Sequence, residues 1–386
     1  MSFLTGVRPP SIARTSRRGE ILEVVEKLKI GILPESPDGT WKQAPKFLND
    51  KSKPKCELVE IPHIESLESL LRDGNLDLMA ISSYNWEQCN KQGLVVLGTL
   101  PRREPTWILI SEDKPEYLLK GAVVIIDHPL LVRQMRRVRN DLDIRNSEWL
   151  ENQEETPEMM DNKSQWLDEC RKSGLIDGFV TQRGAYDLIY PRPRRHTLGI
   201  QRDEPTRERF IPPPMGGFTL LIARVGFPVK ELVGLIDEAS SLSYRLEKSL
   251  FDSIPIKLKD ITGLIIEQRK IGTLIRQAKG NDDEHILESV LDPYKRPSNS
   301  AKRVEMMIET LNPNGTRTAS CERLSTIEDS SMAIIRLLQE WNILIKSMTS
   351  EHEESARRFP QLSDEQNEQF MSAQPAMMNL FESDEN

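Results

Sequence analysis

The stretch that decides the fold is LRDGNLDLMAISSYN at residues 71–85. Three leucines at helical spacing lead up to Gly74, which predicts a helix that ends at this glycine. The apolar run 76–81 then predicts a buried strand. A helix followed directly by a buried strand is the repeating unit of an α/β protein.

The same alternation extends outward on both sides of this stretch. The run 122–126 is continuously apolar, which is typical of a strand buried in a parallel sheet. Other short apolar or alternating runs predict further strands, at 29–33, 57–61, 94–97, 107–110, 178–180 and 218–223. Strands interleaved with helical segments up to residue 226 indicate an α/β architecture.

The pattern changes after Phe227. Helical periodicity dominates and no strand is predicted; the expected helices lie at 229–253, 258–279, 284–292, 301–311 and 325–357. We therefore expect a helical C-terminal domain over residues 229–357. Such a domain could offer a docking face to a protein partner.

Both ends of the chain have biased composition. The first 19 residues contain four arginines and no acid, which is also the composition of an organelle presequence, but Pro9 and Pro10 interrupt any helix there. Residues 1–26 are therefore predicted to be a basic disordered arm. Residues 361–386 carry six acids and no base and are predicted to be a disordered tail. The alternative is that the apolar residues of the tail dock on the body or on a partner; they are Phe370, Met371, Met377, Met378, Leu380 and Phe381.

Composition excludes several functional classes. A chain of 386 residues is long enough for two or three domains. Its 60 acidic and 52 basic residues give a net charge of −8, which argues against a protein whose whole surface binds nucleic acid but leaves local basic patches open. No apolar run approaches the ~18 residues of a membrane span. The four cysteines and five histidines are scattered, so we expect no disulfide framework, no metal site and a cytoplasmic location. There is also no Walker loop, GxGxxG or GxSxG motif.

Residues 71–85 resemble, without a gap, the central motif LxEGEIDLAVHSLKD of the hydroxymethylbilane synthase (porphobilinogen deaminase) family. Three further phrases resemble the family in the same order, and they lie at 93–111, 139–144 and 212–222. The resemblance covers residues 27–224, a little over half of the chain.

The resemblance implies two α/β domains of the type II periplasmic-binding-protein kind. The first would comprise residues 27–103 plus 198–226, and the second residues 104–197. The ligand would lie between them, where strand ends and helix N-termini present N–H groups to anions.

The residues that carry the family's chemistry are altered. Family members polymerise porphobilinogen onto a dipyrromethane attached to a cysteine, and an aspartate of the central motif steers the protons. That aspartate position falls on Asn85, which has neither charge nor exchangeable acid proton, and a neighbouring lysine position falls on Tyr84. Arginine positions that would hold substrate carboxylates fall on Leu33, Leu130 and Leu131.

Other family positions are retained or displaced. Ser82 and the Gly216-Gly217 turn are retained. The candidate ligand-binding residues are Ser82, Arg102, Asp127, Arg133, Gly216 and Gly217. Cys321 is the candidate for cofactor attachment but lacks the family's preceding glycine, and a bystander thiol is the favoured interpretation. An active enzyme would need displaced groups: Asp127 or Asp77 as the acid, and Arg102, Arg103 and Arg133 as carboxylate clamps. Structural roles are the favoured interpretation for both aspartates, a helix cap in the case of Asp127.

We therefore expect a catalytically silent relative of hydroxymethylbilane synthase that acts by binding a ligand or partner in the interdomain cleft. The ligand would be a small polycarboxylate or a pyrrole. One alternative is an active deaminase, a transferase, with displaced site residues. A further alternative is an adaptor or scaffold protein whose partner binds the C-terminal helices or the acidic tail. No cofactor is expected, and dipyrromethane would be present only in the active alternative.

Overall fold

The computed structural model describes residues 27–49, 55–153, 160, 162–204, 208–294, 296–297, 302–350 and 376–381. The predicted basic arm 1–26 lies outside the described residues. The strands are β1 (Leu28–Ile32), β2 (Cys56–Glu60), β3 (Leu78–Ser82), β4 (Leu94–Thr99), β5 (Trp107–Ser111), β6 (Val123–Ile125), β7 (Asp143–Arg145), β8 (Gly178–Gln182), β9 (Arg195–Leu198), β10 (Thr219–Arg224), β11 (Thr262–Lys270), β12 (Lys302–Leu311) and β13 (Thr318–Ser325).

Helices alternate with these strands. They are α1 (Thr40–Leu48), α2 (Ile64–Arg72), α3 (Ser83–Gln88), α4 (Pro129–Val138), α5 (Ser147–Glu151), α6 (Lys163–Lys172), α7 (Glu238–Ser253), α8 (Ile271–Gly280), α9 (Glu284–Val290) and α10 (Ser330–Thr349). None of the helices in the described ranges is both long enough and apolar enough to cross a lipid bilayer.

Two five-stranded sheets share one topology. The first has the order β2-β1-β3-β10-β4, and the second has the order β7-β6-β8-β5-β9. In each sheet four strands run in the same direction, and the fifth, which follows a crossing between the domains, is inserted antiparallel between two of them: β10 in the first sheet and β5 in the second. This is the type II periplasmic-binding-protein architecture, so the predicted fold class is confirmed. We call the bodies around the two sheets the first and second domains.

Burial on both faces explains the apolar strands of the first domain. Every residue of β3 is buried. Met79 and Ile81 pack on one side with the leucines of α2, whereas Leu78 and Ala80 pack on the other side with α1. A strand covered by helices on both faces has apolar residues at successive positions. This continuous apolar run is why β3 could be predicted from the sequence.

The third domain differs from the prediction. Helices do follow the two α/β domains, but they surround a three-stranded antiparallel sheet of order β11-β12-β13. The helices predicted at 258–279 and 301–311 are wrong, because β11 occupies the middle of the first segment and β12 fills the second. β12 is buried on both faces: Met306 packs in the core of the third domain, and Met307 packs against Ile211. Its sequence therefore lacks the period-two alternation that marks a strand.

Part of the C-terminal tail belongs to this third domain. Met378 and Leu380 are 1% and 4% exposed and pack in its core beside α10. The backbone N–H of Met378 donates to the carbonyl of Met348 at 2.8 Å. The prediction that residues 361–386 are disordered is therefore wrong for residues 376–381. Met378 and Leu380 dock on the body as the alternative predicts, whereas Met377 and Phe381 are exposed. Phe370 and Met371 lie outside the described residues.

Ion pairs attach the third domain to the other two. Each pair joins an arginine of the first or second domain, or of the segment that connects them, to a glutamate of the third; they are Arg102–Glu247, Arg137–Glu309, Arg202–Glu305 and Arg209–Glu322. Glu247, Glu309 and Glu305 are buried or nearly so, whereas Glu322 is exposed, so the first three pairs fix the orientation of the third domain more strongly than an exposed pair would.

Candidate functional site

The first and second domains enclose a cavity of about 320 Å³, which we call the cleft cavity. Asp38 and Tyr84 reach it from the chain that follows β1 and β3, and Arg183 reaches it from the chain that follows β8. The carboxyl ends of parallel strands in both domains therefore face this space. Ligands of α/β proteins bind at this end of the sheet.

The two domains touch beside the cleft cavity. A Cβ atom at Gly184 of the second domain would lie 2.4 Å from the backbone nitrogen of Gly39 in the first. Lys42 Nζ of α1 lies 2.8 Å from Asp187 Oδ1, in the 3-10 turn Ala185–Leu188. The structure thus shows the domains in contact, with the cavity closed on this side.

Arg103 lines the cleft cavity, and neighbouring side chains fix its guanidinium. Its Nε donates to Gln43 Oε1 at 3.1 Å, and its Nη2 donates to Thr40 Oγ1 at 3.2 Å. Within the described ranges Nη1 has no hydrogen-bond acceptor and the guanidinium has no carboxylate partner within 4.0 Å. Burial lowers the pKa of Arg103, partly offset by the nearby charge of Asp38. Arginine stays charged under such conditions, so one side of a fixed guanidinium is available to an anion.

The retained glycine turn positions Arg103. Gly217 has a φ of +79°, and a Cβ atom there would lie 2.4 Å from the carbonyl oxygen of Arg103. The backbone N–H of Arg103 donates to the Gly217 carbonyl at 2.9 Å. Gly216 lines the cavity beside it. Only glycine accommodates both the left-handed backbone and this close approach.

Asn85 and Ser82 lie together at the start of α3. Ser82 Oγ accepts the backbone N–H of Asn85 at 3.2 Å and so caps the helix. The side chain of Asn85 donates from Nδ2 to Asp38 Oδ2 at 3.3 Å. Asp38 Oδ1 in turn accepts the backbone N–H of Thr40 at 2.8 Å. A carboxylate is therefore present beside Asn85, but it comes from a different part of the chain.

Tyr84 lines the cleft cavity, and its hydroxyl is buried with no hydrogen-bond partner in the described structure. Burial, and secondly the charge of Glu247, raise the pKa of this phenol, while Arg102 lowers it. The hydroxyl therefore stays protonated at neutral pH. An unpartnered buried hydroxyl is costly, so a ligand acceptor that reached it would be favoured.

The lining of the cleft cavity carries both signs of charge. Its described cations are Lys42, Lys46, Arg103 and Arg183, and its described anions are Asp38, Glu104 and Asp187. Lys42 and Asp187 neutralise each other. The Nε of Arg183 is buried without an acceptor in the described structure. The cavity thus favours a ligand with anionic groups, while Asp38 offers one acceptor for an N–H donor.

Across the described ranges, no three His, Cys, Asp or Glu side chains are grouped as a metal site.

Arg102 lies outside the cleft cavity although it adjoins Arg103 in sequence. Its Nη1 and Nη2 donate to the two carboxylate oxygens of Glu247 at 2.9 and 3.1 Å, and its Nε donates to the Gly216 carbonyl at 2.9 Å. Its guanidinium carbon lies 4.0 Å from the ring centroid of Phe218. The predicted carboxylate clamp is therefore occupied by a carboxylate of the protein itself.

Two other predicted ligand residues also have partners elsewhere. Asp127 accepts the backbone N–H of Ser147 at 2.8 Å and pairs with Lys163 at 2.9 Å. Burial alone would raise its pKa, but these two partners outweigh burial and lower it. Arg133 donates from Nη1 to the carbonyl of Leu311 at 2.6 Å, and burial lowers its pKa to about 10. Neither residue lines the cleft cavity.

Asp77 and Cys321 also lie away from the cleft cavity. Asp77 accepts the backbone N–H of Lys29 at 2.8 Å, just before β3. Cys321 lies on β13, opposite Ile308, and packs against the core of the third domain. Burial, and secondly the charge of Glu340, raise the pKa of its thiol, which reduces its reactivity.

Sequence reasoning missed Asp38 and Arg183. Both follow the carboxyl end of a strand, β1 and β8 respectively, with a glycine immediately after them. That position was the available signal, because ligands in such sheets lie beyond the strand ends.

Comparison with known proteins shows a likeness of fold to solved structures and nothing about function. Neither a family model nor a curated protein matches the sequence. A nutrient-binding protein from Burkholderia cenocepacia bound to methionine is similar at 15% identity and a TM-score of 0.32, over 53% of this chain and 90% of that chain. The periplasmic aliphatic sulphonate-binding protein SsuA from Escherichia coli is similar at 16% identity and a TM-score of 0.32, over 75% and 88%. The VFT2 domain of BvgS from Bordetella pertussis is similar at 15% identity and a TM-score of 0.30, over 57% and 90%.

Proposed function

We propose that this protein binds a small carboxylate-bearing ligand in the cleft cavity and does not turn it over. The observation that carries the proposal is the guanidinium of Arg103, which lines the cavity, is fixed by Gln43 and Thr40, and has an Nη1 without an acceptor in the described structure. A fixed guanidinium pays little further entropy on binding a carboxylate, which makes it a selective anion site.

The finer proposal is that the ligand is a pyrrole of the tetrapyrrole pathway, such as porphobilinogen. Such a ligand combines carboxylates with an N–H donor and a cationic amine. The cavity matches that combination, because Arg103 and Arg183 provide donors whereas Asp38 provides an acceptor. The sequence resemblance to hydroxymethylbilane synthase supports this choice.

Loss of catalysis is supported by the residue at position 85. Asn85 cannot exchange an acid proton, and removing such a group typically costs a factor of about 10² to 10⁴ in rate. A second candidate function is an active deaminase in which Asp38 supplies the carboxylate. The contact between Asp38 and Asn85, at 3.3 Å, is the specific observation that favours it.

The experiment is calorimetric titration of the full chain with porphobilinogen, combined with intact mass measurement before and after incubation. We expect binding with no change in mass. Arg103→Gln should weaken binding about tenfold or more, because a charge-assisted hydrogen bond is lost. Arg194→Gln removes the same charge from an exposed position of the second domain and should leave binding unchanged.

Three results would contradict these proposals. Mass increases in pyrrole-sized steps would establish the active deaminase. Absence of porphobilinogen binding would exclude the pyrrole. Equal affinity of Arg103→Gln and the parent chain for porphobilinogen would exclude the cleft cavity as the binding site.

A further inference from the structure

The third domain contains a second cavity, of about 430 Å³, where β13 ends and α10 begins. Three guanidinium groups line it, from Arg303 of β12, Arg323 of β13 and Arg336 of α10. We call this cavity the arginine pocket. It lies in a different domain from the cleft cavity and shares no lining residue with it.

Arginines outnumber carboxylates among the described lining residues of the arginine pocket. Asp329 is the one carboxylate among its described lining residues, and Asp329 Oδ2 already accepts the hydroxyl of Thr326 at 2.9 Å. Arg336 is exposed and has no ion pair within the described ranges. The pocket also adjoins the first turn of the 20-residue helix α10, whose dipole adds partial positive charge.

Arg323 provides an independent indication of a ligand. Its Nη2 donates to Glu340, but its Nε is buried and has no acceptor in the described structure. An unsatisfied donor on a charged group is costly. Arg303, at 7% exposure, is also held in place, because burial restricts its side chain. The pocket therefore combines an incompletely satisfied guanidinium with two others from neighbouring elements.

We propose that the arginine pocket binds the phosphate group of a small phosphate monoester. Three guanidiniums from different directions match a tetrahedral oxyanion, which accepts several hydrogen bonds at once. The cavity is larger than one phosphate group needs. Its apolar lining, from Leu324, Met332 and Ala333, is suited to contact the organic part of the ester.

The test is calorimetric titration of the full chain with phenyl phosphate, in parallel with inorganic phosphate and citrate. Phenyl phosphate should bind most tightly, inorganic phosphate more weakly, and citrate weakest. Arg336→Gln should weaken phenyl phosphate binding about tenfold or more, since it removes an exposed guanidinium whose loss does not disturb a core. Arg276→Gln, at an exposed position of α8 outside the pocket, should bind as the parent does.

Each other outcome overturns a stated part of the proposal. Equal affinity of Arg336→Gln and the parent would show that phenyl phosphate does not occupy the arginine pocket. Citrate binding as tight as phenyl phosphate binding would replace phosphate recognition with general anion binding. Inorganic phosphate binding as tight as phenyl phosphate binding would remove the role of the apolar lining. Circular dichroism of Arg323→Gln and Arg336→Gln separates loss of binding from loss of folding, and Arg323→Gln should weaken binding as well.

Discussion

Gly184 in the second domain packs directly against Gly39 in the first, so closely that a Cβ atom at Gly184 would lie 2.4 Å from the Gly39 backbone nitrogen. The atoms it would meet belong to the backbone of residues 37–39 and cannot rotate away. Together with the ion pair between Lys42 and Asp187, this contact defines the closed arrangement of the cleft.

We expect Gly184→Ala to disfavour closure. Overpacking of this kind typically costs about 1–3 kcal/mol, which corresponds to about 5- to 150-fold weaker binding of a ligand that requires the closed cleft. Small-angle X-ray scattering should show a larger radius of gyration. Gly199→Ala is the matched control, because its nearest neighbour would lie at an ordinary 3.7 Å. Identical scattering and affinity for the two variants would show that this contact does not control closure.

Removing the negative charge of Glu247 should destabilise the chain strongly. Its carboxylate is fully buried, binds both Nη atoms of Arg102 and accepts the backbone N–H of Ile266 at 3.1 Å. Glu247→Gln leaves Arg102 buried without a counter-charge, so the free energy of unfolding in urea should fall by about 3–5 kcal/mol. Glu87→Gln, which affects partly exposed ion pairs, should change it by less than about 1 kcal/mol. Comparable losses in both variants would refute the special role of the buried pair.

The docked tail should contribute measurably to the third domain. Met378 is 1% exposed whereas its neighbour Met377 is 55% exposed, so the two methionines form a matched pair. Met378→Ala should lower the free energy of unfolding by about 2–5 kcal/mol and speed proteolysis of the tail, because it leaves a cavity in the core. Met377→Ala should change neither property appreciably. Equal proteolysis rates would mean that the contact is not maintained in solution.

Restoring an aspartate at position 85 should not restore turnover. In Asn85→Asp the new carboxylate would face Asp38, at the place where Asn85 Nδ2 now lies 3.3 Å from Asp38 Oδ2. Two carboxylates at this distance raise the pKa of one of them, so they would share a proton. The positions of Leu33, Leu130 and Leu131 would still provide no arginine. A porphobilinogen consumption assay should therefore remain at background; clear turnover would show that one substitution had removed the activity.

The sequence predicted the α/β strands well because burial on both faces leaves a visible apolar run, as in residues 76–81. The same burial concealed β12, because a strand buried on both faces lacks period-two alternation and its segment was predicted as a helix from its apparent helical periodicity. The sequence could not show that Arg102 already has a partner, because Glu247 lies 145 residues further along the chain. Arg102 was therefore predicted as a ligand clamp. Asp38 was missed although it follows the end of β1, and its contact with Asn85 arises only from the fold.

Arg102 and Arg103 are consecutive residues that face opposite ways: Arg102 binds the third domain through Glu247, and Arg103 lines the cleft cavity. One peptide group therefore joins the two environments, so a backbone movement at either residue reaches the other. Any coupling between the cleft cavity and the third domain through this peptide is reciprocal: a molecule bound to the third domain would change the affinity of the cleft by the same factor as a cleft ligand changes the affinity for that molecule.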